Sequence, residues 1–166
     1  LVAKEVEALG RRAVSITVDA GSAPSVASAF ARAKAEAGVA DVLVYNAGAF
    51  KMSSLLELTP EDFENCLRIN CTGGFLASRE VLPDMVARGR GRVLNVASTA
   101  AFQPGPFMAV YYATKAYVLS FSQAIAEELS GTGVTVTCLC PGVTETEFQK
   151  VAGVENVPLT KGPLSM

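Results

Sequence analysis

The chain has 166 residues, half of them hydrophobic and 18% charged, with a formal net charge of −2. That is one domain's worth of sequence, apolar enough to bury a core and unlike a disordered chain. The charge leaves no basic footprint for nucleic acid or a membrane surface, and the lack of histidine removes a Ser-His-Asp triad, a Cys-His pair and any His-ligated metal from its chemistry.

The elements alternate along the chain. Residues 1–9 read as the end of an amphipathic helix stopped by Gly10. The β-branched run at 14–18 predicts a strand, and Ala-rich residues 22–37 predict a helix ended by Gly38. Residues 41–45 are a short apolar run, hence a buried strand. Thr59-Pro60-Glu61-Asp62 combines a capping hydroxyl, a first-turn proline and first-turn acids, which starts a helix running to about Arg88. Residues 93–97 predict a strand, 109–129 a long helix and 134–140 a last strand. Helices of this length between near-continuous apolar strands imply right-handed crossovers and a buried parallel sheet, a doubly wound α/β fold. Such sheets bind ligands beyond the carboxyl ends of their strands. The four cysteines, Cys66, Cys71, Cys138 and Cys140, have no C-x-x-C spacing and read as buried core of a reduced, cytoplasmic protein. Cys138 and Cys140 should point to one face of their strand. No signal peptide or membrane span is evident. The chain opens mid-helix on Leu1 and closes at Met166 after a loop-like stretch, as a piece of a longer protein would.

The chemistry sits just after the strands. Asn46-Ala47-Gly48 follows the second strand and suits either close approach of a flat ring or a simple turn. Ser98 follows the third, as a hydroxyl donor or as a helix cap. Tyr111 and Lys115 are i and i+4 on the long helix and share a face. A free phenol has a pKa near ~10 and is barely ionised at neutral pH; a fixed ammonium beside it should lower that value into the range of proton transfer. The pair alone is weak evidence, because a surface i,i+4 contact looks the same.

The order Asn46-Ala47-Gly48, Asn70, Ser98, Tyr111-x-x-x-Lys115, Pro141-Gly142 resembles the short-chain dehydrogenase/reductase family over residues 1 to about 150. The resemblance implies an NAD(P)-dependent oxidoreductase moving a hydride between a nicotinamide cofactor and a small carbonyl or alcohol, on a Rossmann-like fold. It implies Tyr111 as general acid/base, Lys115 on the nicotinamide ribose, Ser98 on the substrate oxygen and Asn70 holding a relay water. Asn70 lies inside a helix, where asparagine is a poor former and calls for a reason. Asp19 matches the family's acidic position beside the adenine. Asn46, Ala47, Gly48, Pro141, Gly142, Val143, Thr144 and Thr146 match its other cofactor contacts. The apolar stretch 99–108 would form one wall of the substrate pocket and favour a hydrophobic carbonyl, or would be apolar simply as a packed loop.

The chain also departs from the family pattern. The first βαβ unit with its glycine-rich phosphate loop is missing, and so are the residues that choose NADP or NAD, NADP being slightly favoured. Residues 1–166 are thus expected to be a partial domain that is unstable alone. A complete protein should form a homodimer or homotetramer through the 59–88 and 109–129 helices. A non-catalytic dinucleotide-binding regulator, or an inactive fragment, is the competing reading; retention of Asn70, Ser98, Tyr111 and Lys115 favours the enzyme.

Overall fold

The computed structural model of the chain describes residues 2–142. Their order is α1 (Val2–Ala8), α2 (Ala23–Ala37), β1 (Val42–Tyr45), α3 (Pro60–Leu67), a π-helical turn (Arg68–Thr72), α4 (Gly73–Ala87), β2 (Gly91–Val96), a 3-10 turn (Thr99–Phe102), α5 (Ala109–Glu128) and β3 (Val134–Leu139). The three strands form one parallel sheet in the order β1-β2-β3. Fold and pattern agree with a Rossmann-type α/β protein.

Local chemistry places the helices. Ser22 caps α2 by accepting from Ser25 N, and Thr59 caps α3 by accepting from Asp62 N at 3.1 Å. Arg88, just past α4, donates to the Ala40 carbonyl at 2.6 Å and pairs with Asp41 at 3.1 Å. It thereby ties the end of α4 to the chain entering β1. Lys34 of α2 pairs with Asp84 of α4 at 2.6 Å.

The register Leu43–Val93–Val136 and Tyr45–Asn95–Cys138 puts one face of the sheet against α4 and α5. Val81, Met85, Val93 and Val134 form its buried core. Met85 and Val93 are essentially sealed from solvent, and each such side chain contributes about 1.5–3 kcal/mol by leaving water. On the opposite face Val42, Val44 and Leu139 are 57%, 55% and 48% exposed. The described helices therefore cover one side of the sheet.

Three expectations are corrected. Residues 14–18 are not a strand: no ladder forms on them among the described residues, and β-branched composition cannot substitute for a paired neighbour. The single helix over 59–88 is interrupted by the π-turn at Arg68–Thr72. Of the four cysteines only Cys66 is buried; the others are half-exposed. Cys138 and Cys140 do share a face, with sulfurs 3.9 Å apart. No described helix is long and apolar enough to cross a membrane.

Candidate active site

The strands deliver their carboxyl ends to one edge. Asn46, Ala47 and Gly48 follow β1 and are exposed. Ser98 follows β2 and caps the 3-10 turn, its Oγ accepting from Ala100 N at 3.1 Å. Pro141 and Gly142 follow β3, and the Pro141 carbonyl accepts from Thr99 N at 2.9 Å. That bond joins the loops after β2 and β3. Val143, Thr144 and Thr146 lie outside the described residues.

Helix α5 brings Tyr111 and Lys115 to this edge. Lys115 is 7% exposed, and its ammonium donates to the Val96 carbonyl at the end of β2, at 2.9 Å. It stands 5.6 Å from the centre of the Tyr111 ring, within cation–π range. Phe50 packs edge-on against Tyr111, with ring centres 5.2 Å apart.

Burial pushes the Tyr111 phenol above its ordinary value, against a hydrogen bond from Ser98 that works to lower it. Burial also pushes Lys115 down, opposed by the neighbouring Cys138, Cys140 and Cys71. The expected lowering of Tyr111 by the ammonium is thus not what this arrangement produces. Lys115 directs its hydrogen bond at Val96, and desolvation of the phenol outweighs the remaining influences.

Asn70 lies in the π-turn and is 2% exposed. Its Oδ1 accepts from Ala49 N at 2.6 Å, and its Nδ2 donates to the Ala49 carbonyl at 2.9 Å and to Thr114 Oγ1 at 2.8 Å. The side chain is therefore occupied in joining the loop after β1 to α5. Asp19 is exposed and sits beside the π-turn. Its carboxylate accepts from Gly21 N and from Arg68, each at 2.9 Å, and these contacts hold it below the usual carboxylate value, the Gly21 bond most.

Ser98, Tyr111, Lys115 and Asn70 thus converge on one edge, with Asn46-Ala47-Gly48 beside them. Thr114, Tyr45 and Phe50 are further members that the sequence does not reveal, and Ala49 joins them through its backbone. Thr114 could be noticed as the residue preceding Lys115; Tyr45 acts through its hydroxyl, Ala49 through its backbone and Phe50 through ring packing, and none of these leaves a motif.

The backbone at this edge is open to close approach at two glycines. Gly142 has open space where a Cβ would stand, and at Gly48 the nearest atom to such a Cβ would be Asn70 Oδ1 at 3.8 Å. Lys115 carries three donors, and Val96 takes one of them. Asn46, Ala47, Gly48 and Lys115 fit a ribose and a flat ring. Separately, an apolar depression of about 530 Å³ lies on the Tyr112 side of α5, lined by Pro104, Pro106, Ala109, Tyr112, Ala113 and Ala116.

A parallel α/β sheet with a phenol, an ammonium and a hydroxyl gathered at its carboxyl edge is a Rossmann-type arrangement. The sequence matches the short chain dehydrogenase family over residues 1–156, and the chain belongs to that family. It is 33% identical over 158 residues to the oxidoreductase UcpA of Escherichia coli K12, covering 95% of this chain and 60% of that protein. It is 31% identical over 156 residues to the 3-oxoacyl-[acyl-carrier-protein] reductase of Synechocystis, covering 94% and 63%. A gluconate 5-dehydrogenase from Burkholderia cenocepacia, solved with NADP and tartrate, superposes with a TM-score of 0.86 at 28% identity, covering 95% and 62%. The chain thus spans less than two thirds of the length of these relatives.

Proposed function

We propose that the protein carrying this chain is an NAD(P)-dependent oxidoreductase acting on the CH–OH/C=O couple of a small, hydrophobic carbonyl or alcohol. The observation that carries this reading is the convergence of Ser98, Tyr111 and Lys115. The nicotinamide, when bound, supplies or accepts the hydride. Ser98 Oγ holds the substrate oxygen. Tyr111 Oη gives its proton to that oxygen in reduction and takes it back in oxidation. Lys115 holds the ribose hydroxyls and supports negative charge developing on the phenol. Asn46, Ala47, Gly48, Pro141 and Gly142 seat the nicotinamide half; by the family pattern, backbone groups of Val143 and Thr144 meet the carboxamide, and Thr146 caps that loop or contacts the cofactor. Asp19 lies toward the adenine, and Asn70 orders the water that feeds protons toward Lys115. Both Nδ2 hydrogens go to Ala49 and Thr114, so Asn70 would hold this water through its main chain or through the lone pair that Oδ1 keeps.

NADP is the favoured cofactor; the Burkholderia protein of like fold was solved with it. Exposed Phe102 and Phe107 on the 99–108 wall favour an apolar substrate. The protein works in the cytoplasm as a homodimer or homotetramer built on α3, α4 and α5.

The test is oxidation of NADPH and NADH by the purified protein against a panel of alkyl and aryl ketones. Tyr111→Phe should lower turnover by about 10²–10⁴-fold, the range of general acid–base catalysis, with dinucleotide affinity nearly unchanged. Tight dinucleotide binding without turnover of any ketone or alcohol would overturn the enzyme reading in favour of a regulator.

A further inference from the structure

The π-turn at Arg68–Thr72 has a cost and a support. Gly73 N bonds to the Arg68 carbonyl, so the Ile69 carbonyl loses the donor that an α-helix would supply. The Tyr45 hydroxyl, from the end of β1, replaces it by donating to Ile69 O at 2.5 Å. The fit is close: a Cβ at Gly73 would overlap that hydroxyl, and one at Gly74 would stand 3.3 Å from the Tyr45 ring. Tyr45 is 8% exposed, and burial pushes its phenol up to about 12, so it remains a proton donor across the physiological range.

The other side of the turn is held through Thr114. Its Oγ1 accepts from Asn70 Nδ2 and donates to the Tyr111 carbonyl, each at 2.8 Å. Thr114 is 1% exposed. A continuous path thus runs from β1 through Tyr45, the π-turn, Asn70 and Thr114 to the backbone of Tyr111, with Ala49 bonded to Asn70 on the way.

We propose that Tyr45 and Thr114 are positioning residues for Asn70: Tyr45 keeps the π-turn from relaxing to α-helix, and Thr114 transmits the Asn70 position to the turn of α5 that carries Tyr111 and Lys115. Relaxation would return Gly73 N to the Ile69 carbonyl and rotate Asn70 away from Ala49. The geometry stands apart from the proposed chemistry; only its consequence for turnover rests on the oxidoreductase reading.

The experiment uses the protein that carries this chain, with Tyr45→Phe, which keeps the ring and removes the donor. Hydrogen exchange at the Ala49 amide, whose acceptor is Asn70 Oδ1, should accelerate about tenfold or more, beyond any change at core amides of β2. Turnover should fall by about tenfold with the cofactor KM little changed, a common scale for losing a second layer of support. Tyr45→Phe should add nothing to Asn70→Ala. Thr114→Val should reproduce the fast Ala49 exchange, and Thr114→Ser should keep the wild-type rate. A folded Tyr45→Phe protein with a lower Tm but wild-type Ala49 exchange would overturn the proposal. If Tyr45→Phe does not fold, the threonine pair decides: unchanged Ala49 exchange in Thr114→Val overturns it. Absence of turnover in the wild type would overturn the enzyme reading alone, and the exchange measurements would still judge the positioning role.

Discussion

The Lys115 ammonium lies 5.6 Å from the centre of the Tyr111 ring, while its hydrogen bond goes to Val96 on the neighbouring strand. Burial is the largest influence on both groups and acts in opposite directions, raising the phenol and lowering the ammonium. Each is pushed toward its neutral form. Under the proposed mechanism, in which Tyr111 exchanges a proton, the phenol is therefore poised by what surrounds the pair, not by the lysine charge alone.

Lys115→Met tests the cost of that burial. The folded pKa of Lys115 lies below its ordinary 10.5, so the unfolded chain binds the proton more tightly. The folded state is penalised at neutral pH, and the penalty fades as pH climbs from the lowered value toward 10.5. The methionine variant lacks this penalty, so its Tm relative to wild type should be most favourable at pH 7 and lose that advantage by about pH 10.5. Thermal melts across this range measure it. A difference between the two proteins that ignores pH would show that Lys115 burial does not bear on stability.

The opposite sign holds for two partly or fully covered acids. Burial pushes Cys71 from 9.0 up to about 11 and Tyr45 from 10.0 up to about 12. Each folded value is raised, so the stability it contributes is complete below the ordinary value and is lost as pH rises through the folded one. Stability should therefore decline between pH 9 and 12. Cys71→Ala should flatten the early part of that decline and Tyr45→Phe the later part. Denaturant midpoints at pH 8, 10 and 11.5 give the comparison; identical slopes in all three proteins would contradict it.

Much of this arrangement was legible beforehand. The Tyr111–Lys115 spacing placed both on one helix face, and Asn70 stood out because a helix interior disfavours asparagine. Its actual reason, the π-turn, was not readable. That turn depends on Tyr45 meeting Gly73 and Gly74 across 28 residues of chain, and no local pattern records such a meeting. Residues 14–18 depart from their strand propensity for the same kind of reason: propensity is local, whereas a strand exists only where another backbone lies alongside. Cysteine as a residue type favours burial, but type does not fix how much of a side chain its neighbours cover, and Cys71, Cys138 and Cys140 stay partly exposed.

Gly131 and Gly133 offer a controlled pair for stability. They have φ values of 78° and 80°, in the left-handed region, where an L-residue costs roughly 1–2 kcal/mol. A Cβ at Gly131 meets open space, whereas one at Gly133 would overlap the Gly89 carbonyl. Gly131→Ala should therefore destabilise by about 1 kcal/mol, the backbone cost alone. Gly133→Ala should cost roughly 1–3 kcal/mol more, because two loops must move apart. Equal losses in chemical denaturation would mean that the Gly89–Gly133 contact is not tight in solution.

Ser98→Ala separates two roles of one hydroxyl. The hydrogen bond from Ser98 is the influence that opposes the burial-driven rise of Tyr111. Its removal should raise the phenol further, so the limb of the pH–rate profile that reports Tyr111 should move to higher pH. Under the proposed mechanism the substrate oxygen also loses a partner, and kcat/KM at pH 7 should fall by roughly 10²–10³-fold, the scale for losing one such donor. Ser98→Thr keeps an oxygen at the same place and should leave the limb where the wild type has it. A fall in rate with an unmoved limb would assign Ser98 to substrate alone, and an unchanged rate would remove it from the mechanism.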